Sequence, residues 1–551
     1  MQKPTVLLVL DGWGLAPPGP GNAIDQAKLM HIPRYFVSYP HSQLAASGVA
    51  VGLPANEDGN TETGHINLGA GRVVYQDLPR INMAIADGSF FKNEAFIGAC
   101  NYAKLHNSNV HLLGLIGEGS VHSSIEHLSA LLALGKQHAE GRPIYVHLFT
   151  DGRDSPPTAA PRLIAKVEEM CQTIDVGAIA TVMGRYFAMD RDRRWERTEK
   201  AYQALTERVD RTAPSAKAAL EAAYADGKTD EFIEPTVILG HDGKPLPRIA
   251  DGDAVIFFNF RIDRPRQLTK AFVLTNFESE GSATSSFDPY AVKYYHKHII
   301  DEQIPAKPFD RQVKLTNIFF VTMTEYERNL PCTVAYPPEI VKMPLGRVIS
   351  EHGYRQLRMS ETEKERFVTY YFNGMREDPF PGEDHLITPS AKVATYDLKP
   401  DMSARELTDK LIDRMKLGFY AFILVNFANP DMVAHTGNIP AAIKAVQVID
   451  ECLEKIITQI LSLGGTCIIT GDHGNVEEML GPNGEVDTEH SSFPVPFIVI
   501  SSMCTNMPIQ LPSGQLSDVA PTILSLMSLP VPSDMSGRNL LIDVLPKGGK
   551  P

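Results

Sequence analysis

Short runs of β-favouring apolar residues recur along the chain, and most stop at an acid, a glycine or an arginine. Thr5–Leu10 ends at Asp11-Gly12-Trp13-Gly14, and residues 111–116 end at Gly117-Glu118-Gly119-Ser120-Val121-His122. Residues 144–150 lead to Asp151-Gly152-Arg153-Asp154, 178–183 to Gly184-Arg185, and 254–260 to Arg261-Ile262-Asp263-Arg264. Residues 421–425 precede Asn429-Pro430-Asp431, and 466–470 run into Gly471-Asp472-His473-Gly474-Asn475. Runs that are apolar at both odd and even positions predict strands buried on both faces of a parallel sheet. The intervening stretches have helical spacing. Leu407, Leu411 and Met415 follow a Ser403/Glu406 pair that reads as a capping box, and Gly418 closes the helix. Ile449, Leu453, Ile456 and Ile460 form a second stripe ending at Gly464-Gly465, and both stripes read as core packing. Strands alternating with helices predict an α/β fold.

A chain of 551 residues is too long for one ordinary core. Its texture changes near residues 75–79. Residues 278–311 are irregular, with Gly281-Ser282, Ser285-Ser286, a Tyr/His/Lys cluster at 293–298, and Pro305 and Pro308; a strand pattern restarts at 317–323. These changes predict residues 77–312 as one α/β domain inserted into another, built from residues 1–76 and 313–551.

A net charge of -14 argues against a nucleic-acid or anionic-membrane surface, while leaving room for a local basic pocket. The six cysteines are scattered without a C-x-x-C pair, and they read as reduced thiols. The apolar run near the start is too short for a signal peptide, and no run approaches membrane-spanning length. A cytoplasmic protein is the expectation.

The polar residues at the strand ends carry the chemistry. An Asp-His turn alone serves equally well as surface structure. In this chain, however, Asp11, Asp431, His435, Asp472, His473 and His490 all follow strands of the first and last portions, and Asp431 and His435 are one helical turn apart. Three carboxylates and three imidazoles suit two divalent ions. Oxygen and nitrogen donors without thiolate suggest Mn²⁺ or Zn²⁺, with Mg²⁺ bound more weakly; over the whole chain Mn²⁺ is the expectation, with Zn²⁺, Mg²⁺ and Co²⁺ as alternatives. Gly59-Asn60-Thr61-Glu62-Thr63-Gly64-His65 brackets a hydroxyl with small residues. A phosphoryl group can approach Thr61 there, and direct coordination to a cation would make so weak an acid nucleophilic. In the middle portion His122, Arg153, Asp154, Arg185, Arg191, Arg261 and Arg264 cluster after strands, the set wanted for a small, oxygen-rich anion.

The ordered motifs LDGWG, GNTETGH with GAGR, GEGSVHS, DGRD, GRYFAMDRDRRW, FNFRIDRPRQ, SETEK, NPDMVAH and GDHGN resemble, over nearly the whole length, the cofactor-independent phosphoglycerate mutases of the alkaline phosphatase superfamily. The resemblance implies an alkaline-phosphatase-like discontinuous α/β domain with an inserted second α/β domain. It implies Asp431, His435 and His490 on one metal, and Asp11, Asp472, His473 and the Thr61 hydroxyl on the other. His122, Arg153, Asp154, Arg185, Arg191, Arg261, Arg264 and Lys364 would line the substrate pocket, Lys364 facing the phosphoryl group from the phosphatase-like domain. Thr61 would take the phosphoryl group from 3-phosphoglycerate and return it to give 2-phosphoglycerate, without 2,3-bisphosphoglycerate. Asp154 would move the proton on the glycerate hydroxyl, Arg261 would tune it, and domain closure would exclude water. Family precedent is a monomer.

Two features depart from the family. Its nucleophile is usually a serine in Gly-Asn-Ser-Glu-Val-Gly-His, whereas this chain has Thr61 and Thr63. The 278–311 segment is also longer than usual. The threonine keeps a metal-dependent phosphatase or a phosphopentose mutase of the same superfamily as the alternative, and a silent metal-binding scaffold is the non-enzymatic one.

Overall fold

A computed structural model describes residues 3–206, 210–282 and 307–542. Most of the irregular 278–311 segment, including its Tyr/His/Lys cluster, lies outside the described residues. The chain forms two compact units, one of Met1–Pro79 with Glu339–Pro551, the other of Arg80–Pro338. The second crossing therefore falls later than the expected 312/313. The strand expected to reopen the outer domain, Phe319–Thr324, pairs in parallel with Ala254–Phe257 and Thr333–Tyr336 inside the inserted unit. An apolar run announces a strand without saying which sheet will take it. Here Phe319 N–H donates to Asp253 O, and Phe320 packs against Phe272, both in the inserted unit.

In the discontinuous unit the sheet runs Glu383–Thr388, Gln356–Glu361, Phe422–Phe427, Thr5–Leu10, Thr466–Gly471, Val495–Ser501, His41–Ala45, Gly514–Gln515. The first five strands are mutually parallel; Val495–Ser501 is antiparallel to both neighbours. The apolar run of Thr5–Leu10 is explained by its two faces. Val6, Leu8 and Leu10 enter one core with the helix Ile439–Ser462, while Leu7 and Val9 enter another with Leu68 and Phe372. The Ile449, Leu453, Ile456 and Ile460 stripe lies in the first core, as its spacing predicts. The expected capping box does not form. The Ser403 hydroxyl donates to Pro389 O, and its N–H donates to Glu361 at 2.9 Å, so a distant carboxylate replaces Glu406.

In the inserted unit the sheet runs Thr333–Tyr336, Phe319–Thr324, Ala254–Phe257, Val110–Ile116, Ile144–Thr150, Ala178–Gly184, Thr236–Ile238, Thr212–Ala213. Its central strands are parallel, so their carboxyl ends open on one edge of the sheet. Among the described residues no helix is long and apolar enough to cross a membrane.

Candidate active site

In the discontinuous unit the register of the central strands assembles the acids. Leu10 sits opposite both Gly471 and Phe427, so Asp11, Asp472 and the helix Asn429–Ala434 begin at one level. Gly12 adopts φ +69°, and a Cβ there would lie 2.9 Å from Asp431 Cα; glycine lets the Asp431 helix close over the strand. Asp472 Oδ1 accepts from the N–H groups of Gly12 and His473, whereas the buried Oδ2 faces ring nitrogens, His65 Nδ1 at 3.3 Å and His473 Nε2 at 3.7 Å. Asn60 caps the helix Thr61–Ala70 through Thr63 N–H, leaving Thr61 as its first residue. Gly64 brings that helix onto Asp472, whose carbonyl a Cβ would meet at 2.6 Å. The Thr61 hydroxyl thus lies 2.9 Å from His473 Nε2, 3.1 Å from Lys364 Nζ and 3.5 Å from Asp11 Oδ1.

Three histidines present the same face. His435 Nδ1 lies 2.7 Å from Thr488 O, His473 Nδ1 3.1 Å from Gly474 O, and His490 Nδ1 2.8 Å from Gly59 O. A carbonyl only accepts, so each Nδ1 carries a proton and each Nε2 is the ring nitrogen that faces the cluster. Asp431 Oδ1 is 3.2 Å from His435 Nε2 and 3.5 Å from His490 Nε2. Asp11, Asp472 and His473 form a buried floor, while His435 and His490 stand nearer solvent. Two sets, Asp431/His473/His490 and Asp11/Asp472/His473, each place their ligand atoms within 4.8 Å of one another. His473 thus lies within reach of both groups, and His435 adjoins the first.

Lys364 reaches Asp11 Oδ1 at 2.6 Å and Asp431 Oδ2 at 2.7 Å. Despite its burial, these acids hold it above its ordinary value. Burial works against ionising Asp431, yet Lys364 holds its carboxyl well below the usual range; His473 does the same for Asp472. Burial would depress His473, but Asp472, Asp11 and Asp431 push it up to about 10. Three buried carboxylates facing one lysine and the raised His473 still leave a surplus of negative charge. With carboxylate oxygens and Nε2 atoms converging on the same points, that donor set fits divalent cations.

The inserted unit builds the opposite kind of cluster. Arg185, at the end of Ala178–Gly184, gives NH1 to Asp151 and Asp154, both at 2.5 Å, and NH2 to His122 Nε2 at 2.9 Å. Asp263 accepts from Arg191 at 2.6 Å and lies 3.5 Å from Arg261. Arg153 pairs with Glu231 at 2.7 Å, and Arg264 donates to Met189 O. Burial and the neighbouring Arg185 pull His122 down to about 4; burial with Arg185 and Arg191 pulls Arg264 down to about 10. Burial opposes ionisation of Asp154, but Arg185 holds it below the ordinary carboxylate range. All the inserted-unit residues singled out from sequence join this network. Lys364 belongs to the carboxylate cluster instead.

Sequence reasoning missed the supporting residues. Asn475 Nδ2 donates to Asp431 at 2.9 Å, Asn426 Nδ2 to Asp11 at 2.6 Å, and buried His65 touches Asp472. Asp151, Glu231 and Asp263 hold the arginines. Asn426 had a signal, as the one amide in the otherwise apolar strand Phe422–Phe427.

Residues 81–328 match the family model described as the N-terminus of BPG-independent PGAM. The 2,3-bisphosphoglycerate-independent phosphoglycerate mutase of Moorella thermoacetica is 47% identical over 542 residues, covering 98% of this chain and 99% of that protein. Its namesake in Chloroflexus aggregans is 48% identical over 544 residues, with the same coverage. The crystal structure of Leishmania mexicana phosphoglycerate mutase at low cobalt concentration is similar with a TM-score of 0.58 at 29% identity, over 98% of this chain and 97% of that one. Near-complete coverage at this identity, together with the two clusters, establishes that the chain belongs to the 2,3-bisphosphoglycerate-independent phosphoglycerate mutases.

Proposed function

We propose that the protein interconverts 3-phosphoglycerate and 2-phosphoglycerate through a phospho-threonine intermediate on Thr61. The observation that carries this reading is the Thr61 hydroxyl, set 2.9 Å from His473 and 3.1 Å from Lys364 among Asp11, Asp431 and Asp472. Asp431, His435 and His490 would hold one divalent ion, and Asp11, Asp472, His473 and Thr61 the other. Bound there, such ions lower the pKa of a coordinated hydroxyl and neutralise phosphoryl oxygens. Mn²⁺ is the first choice from the donor set.

Thr61 Oγ1 forms a bond to phosphorus as the bond from phosphorus to the glycerate 3-oxygen breaks, and the freed 3-oxygen takes up one proton in exchange for the one that Thr61 loses. Lys364 and the N-terminal amides of the Thr61 helix meet the phosphoryl oxygens. Arg153, Arg185, Arg191, Arg261 and Arg264 hold the anionic glycerate, with His122 beside Arg185. Asp154, kept ionised by Arg185, accepts the proton of the 2-hydroxyl in the return step, as that oxygen bonds phosphorus, the Thr61 ester breaks and Thr61 Oγ1 regains a proton. Arg261 tunes that transfer. The acidic charge balance and six free thiols support a cytoplasmic protein that binds neither nucleic acid nor membrane, and a monomer is what the family resemblance implies.

The test is a coupled assay for 2-phosphoglycerate, started with 3-phosphoglycerate and no 2,3-bisphosphoglycerate, before and after chelation. We expect turnover to vanish on chelation and return with Mn²⁺. Release of inorganic phosphate without isomerisation would replace this reading with a phosphatase, and silence in Mn²⁺-loaded protein would leave only a metal-binding scaffold.

A further inference from the structure

Asp11 has one oxygen for the cluster and one that is tied from behind. Asp11 Oδ1 faces Lys364, Thr61 and His473, while Oδ2 takes an N–H of Asn426 at 2.6 Å. The second N–H of the same amide lies 3.1 Å from Nε2 of His65, which is fully buried one helical turn beyond Thr61. The other ring nitrogen, Nδ1, lies 3.0 Å from the Thr61 carbonyl and 3.3 Å from Asp472 Oδ2.

The hydrogen pattern along this chain has one satisfactory solution. The Thr61 carbonyl only accepts, so His65 carries its proton on Nδ1 and offers a lone pair at Nε2. That lone pair requires a donor, which orients the Asn426 amide with NH₂ toward His65 and Asp11. Flipping the amide would set Asn426 Oδ1 against an Asp11 oxygen at hydrogen-bond distance, two acceptors face to face. The orientation has a cost, since Asn426 Oδ1 is buried without a partner among the described residues. No role assigned to the metal ligands or to Thr61 requires such an amide.

We propose that His65 is a positioning residue: protonated on Nδ1, it locks the Asn426 amide onto Asp11 Oδ2 and so reserves Asp11 Oδ1 for a divalent cation and the Thr61 hydroxyl. The same ring anchors the carbonyl of Thr61, coupling the nucleophile's backbone to the carboxylate that shares its cation. The inference rests on the two-cation reading of the cluster, and its readout is cation affinity rather than turnover.

The experiment titrates chelator-treated full-length protein with Mn²⁺ and counts free ion by electron paramagnetic resonance. His65→Leu and Asn426→Ala should each weaken Mn²⁺ binding by about 10- to 100-fold, the range for groups that orient metal ligands. The double variant should be no weaker than the poorer single one, because the two residues act as one unit. His65→Gln, whose carbonyl oxygen can replace Nε2 as the acceptor, should retain affinity within a few-fold. Affinities unchanged in folded variants, single effects that add, or a glutamine variant as poor as the leucine one would each overturn the proposal. Should His65→Leu fail to fold, Asn426→Ala and His65→Gln decide it by the same criteria. A wild-type chain that binds Mn²⁺ without isomerising 3-phosphoglycerate would sink the mutase reading and leave this one standing; no Mn²⁺ binding at all would sink both.

Discussion

The two units solve the same geometric problem with opposite charge. Each places polar side chains just past the carboxyl ends of parallel strands, and each buries a histidine among them. In the discontinuous unit Asp472, Asp11 and Asp431 push His473 up to about 10. In the inserted unit burial and Arg185 pull His122 down to about 4. One residue type is thus driven in opposite directions by the residues that follow the strands, and the strands themselves contribute position alone. The minority charges differ in use as well. Lys364 lies between Asp11 and Asp431, and with the raised His473 it is still outnumbered by three carboxylates, so its cluster keeps a demand for positive charge. Asp151, Asp154, Asp263 and Glu231 each hold an arginine in place, yet burial and the neighbouring Arg185 and Arg191 still depress Arg264 to about 10, so cations crowd one another here.

The largest effect should come from the hydroxyl on the anionic side. Thr61→Ala should lower the rate of isomerisation by more than about 10³-fold, because no other group can carry the phosphoryl ester. Mn²⁺ should still bind, since the carboxylates and imidazoles remain. Thr61→Ser should equal or exceed the wild type, because the methyl group that restricts χ1 and crowds in-line attack is gone. An alanine variant with full turnover would remove Thr61 from the mechanism.

Next comes the charge surplus itself. Asp472→Asn keeps the shape and both backbone contacts at Oδ1 but removes one of the charges that call for a cation. Mn²⁺ affinity by calorimetry should fall by more than about 100-fold, beyond the range for residues that only orient ligands. Unchanged affinity would mean that Asp472 is structural.

On the cationic side the effect should be smaller and fall on substrate binding. Arg264→Ala should raise KM for 3-phosphoglycerate by about 10- to 100-fold, the size of one lost charged hydrogen bond, with Mn²⁺ affinity untouched. Arg264→Lys should recover only part of that loss, because a point charge lacks the planar fork. A Mn²⁺ defect in either variant would break the division of labour between the units.

These contrasts were unevenly legible in the sequence. The strands with apolar residues on both faces, and the acids that end them, could be read because burial on two sides forces a continuous run. The meeting of Asp11 with Asp472 followed from the chemistry expected at such ends. The sheet that takes Phe319–Thr324 could not be read, since pairing depends on partners distant in the chain such as Asp253. Ser403 misled because its local partner Glu406 lost to Glu361, which only the fold brings near. His65 and Asn426 stayed silent for a related reason: a buried polar pair has no periodicity, and its meaning lies in the proton each must donate or accept.

The smallest prediction isolates burial from charge. His127 lies in the inserted unit with its ring edge-on to Phe260, fully buried, with Nε2 2.9 Å from Asn82 Oδ1 and Nδ1 without a hydrogen-bond partner among the described residues. Burial pulls it down to about 4 against an unfolded value near 6.5. Below pH 6.5 the unfolded chain therefore binds a proton at this site that the folded chain refuses. The stabilisation is complete above 6.5 and is lost as the pH falls toward 4. Between pH 7 and pH 5 that one histidine should remove about 2 kcal/mol of folding stability. Urea unfolding at the two pH values measures the loss, and His127→Gln, which cannot titrate, should flatten the difference by a similar amount. An acid slope identical in the variant would mean that burial does not depress His127, and the pull on His122 would then have to be assigned to Arg185 alone.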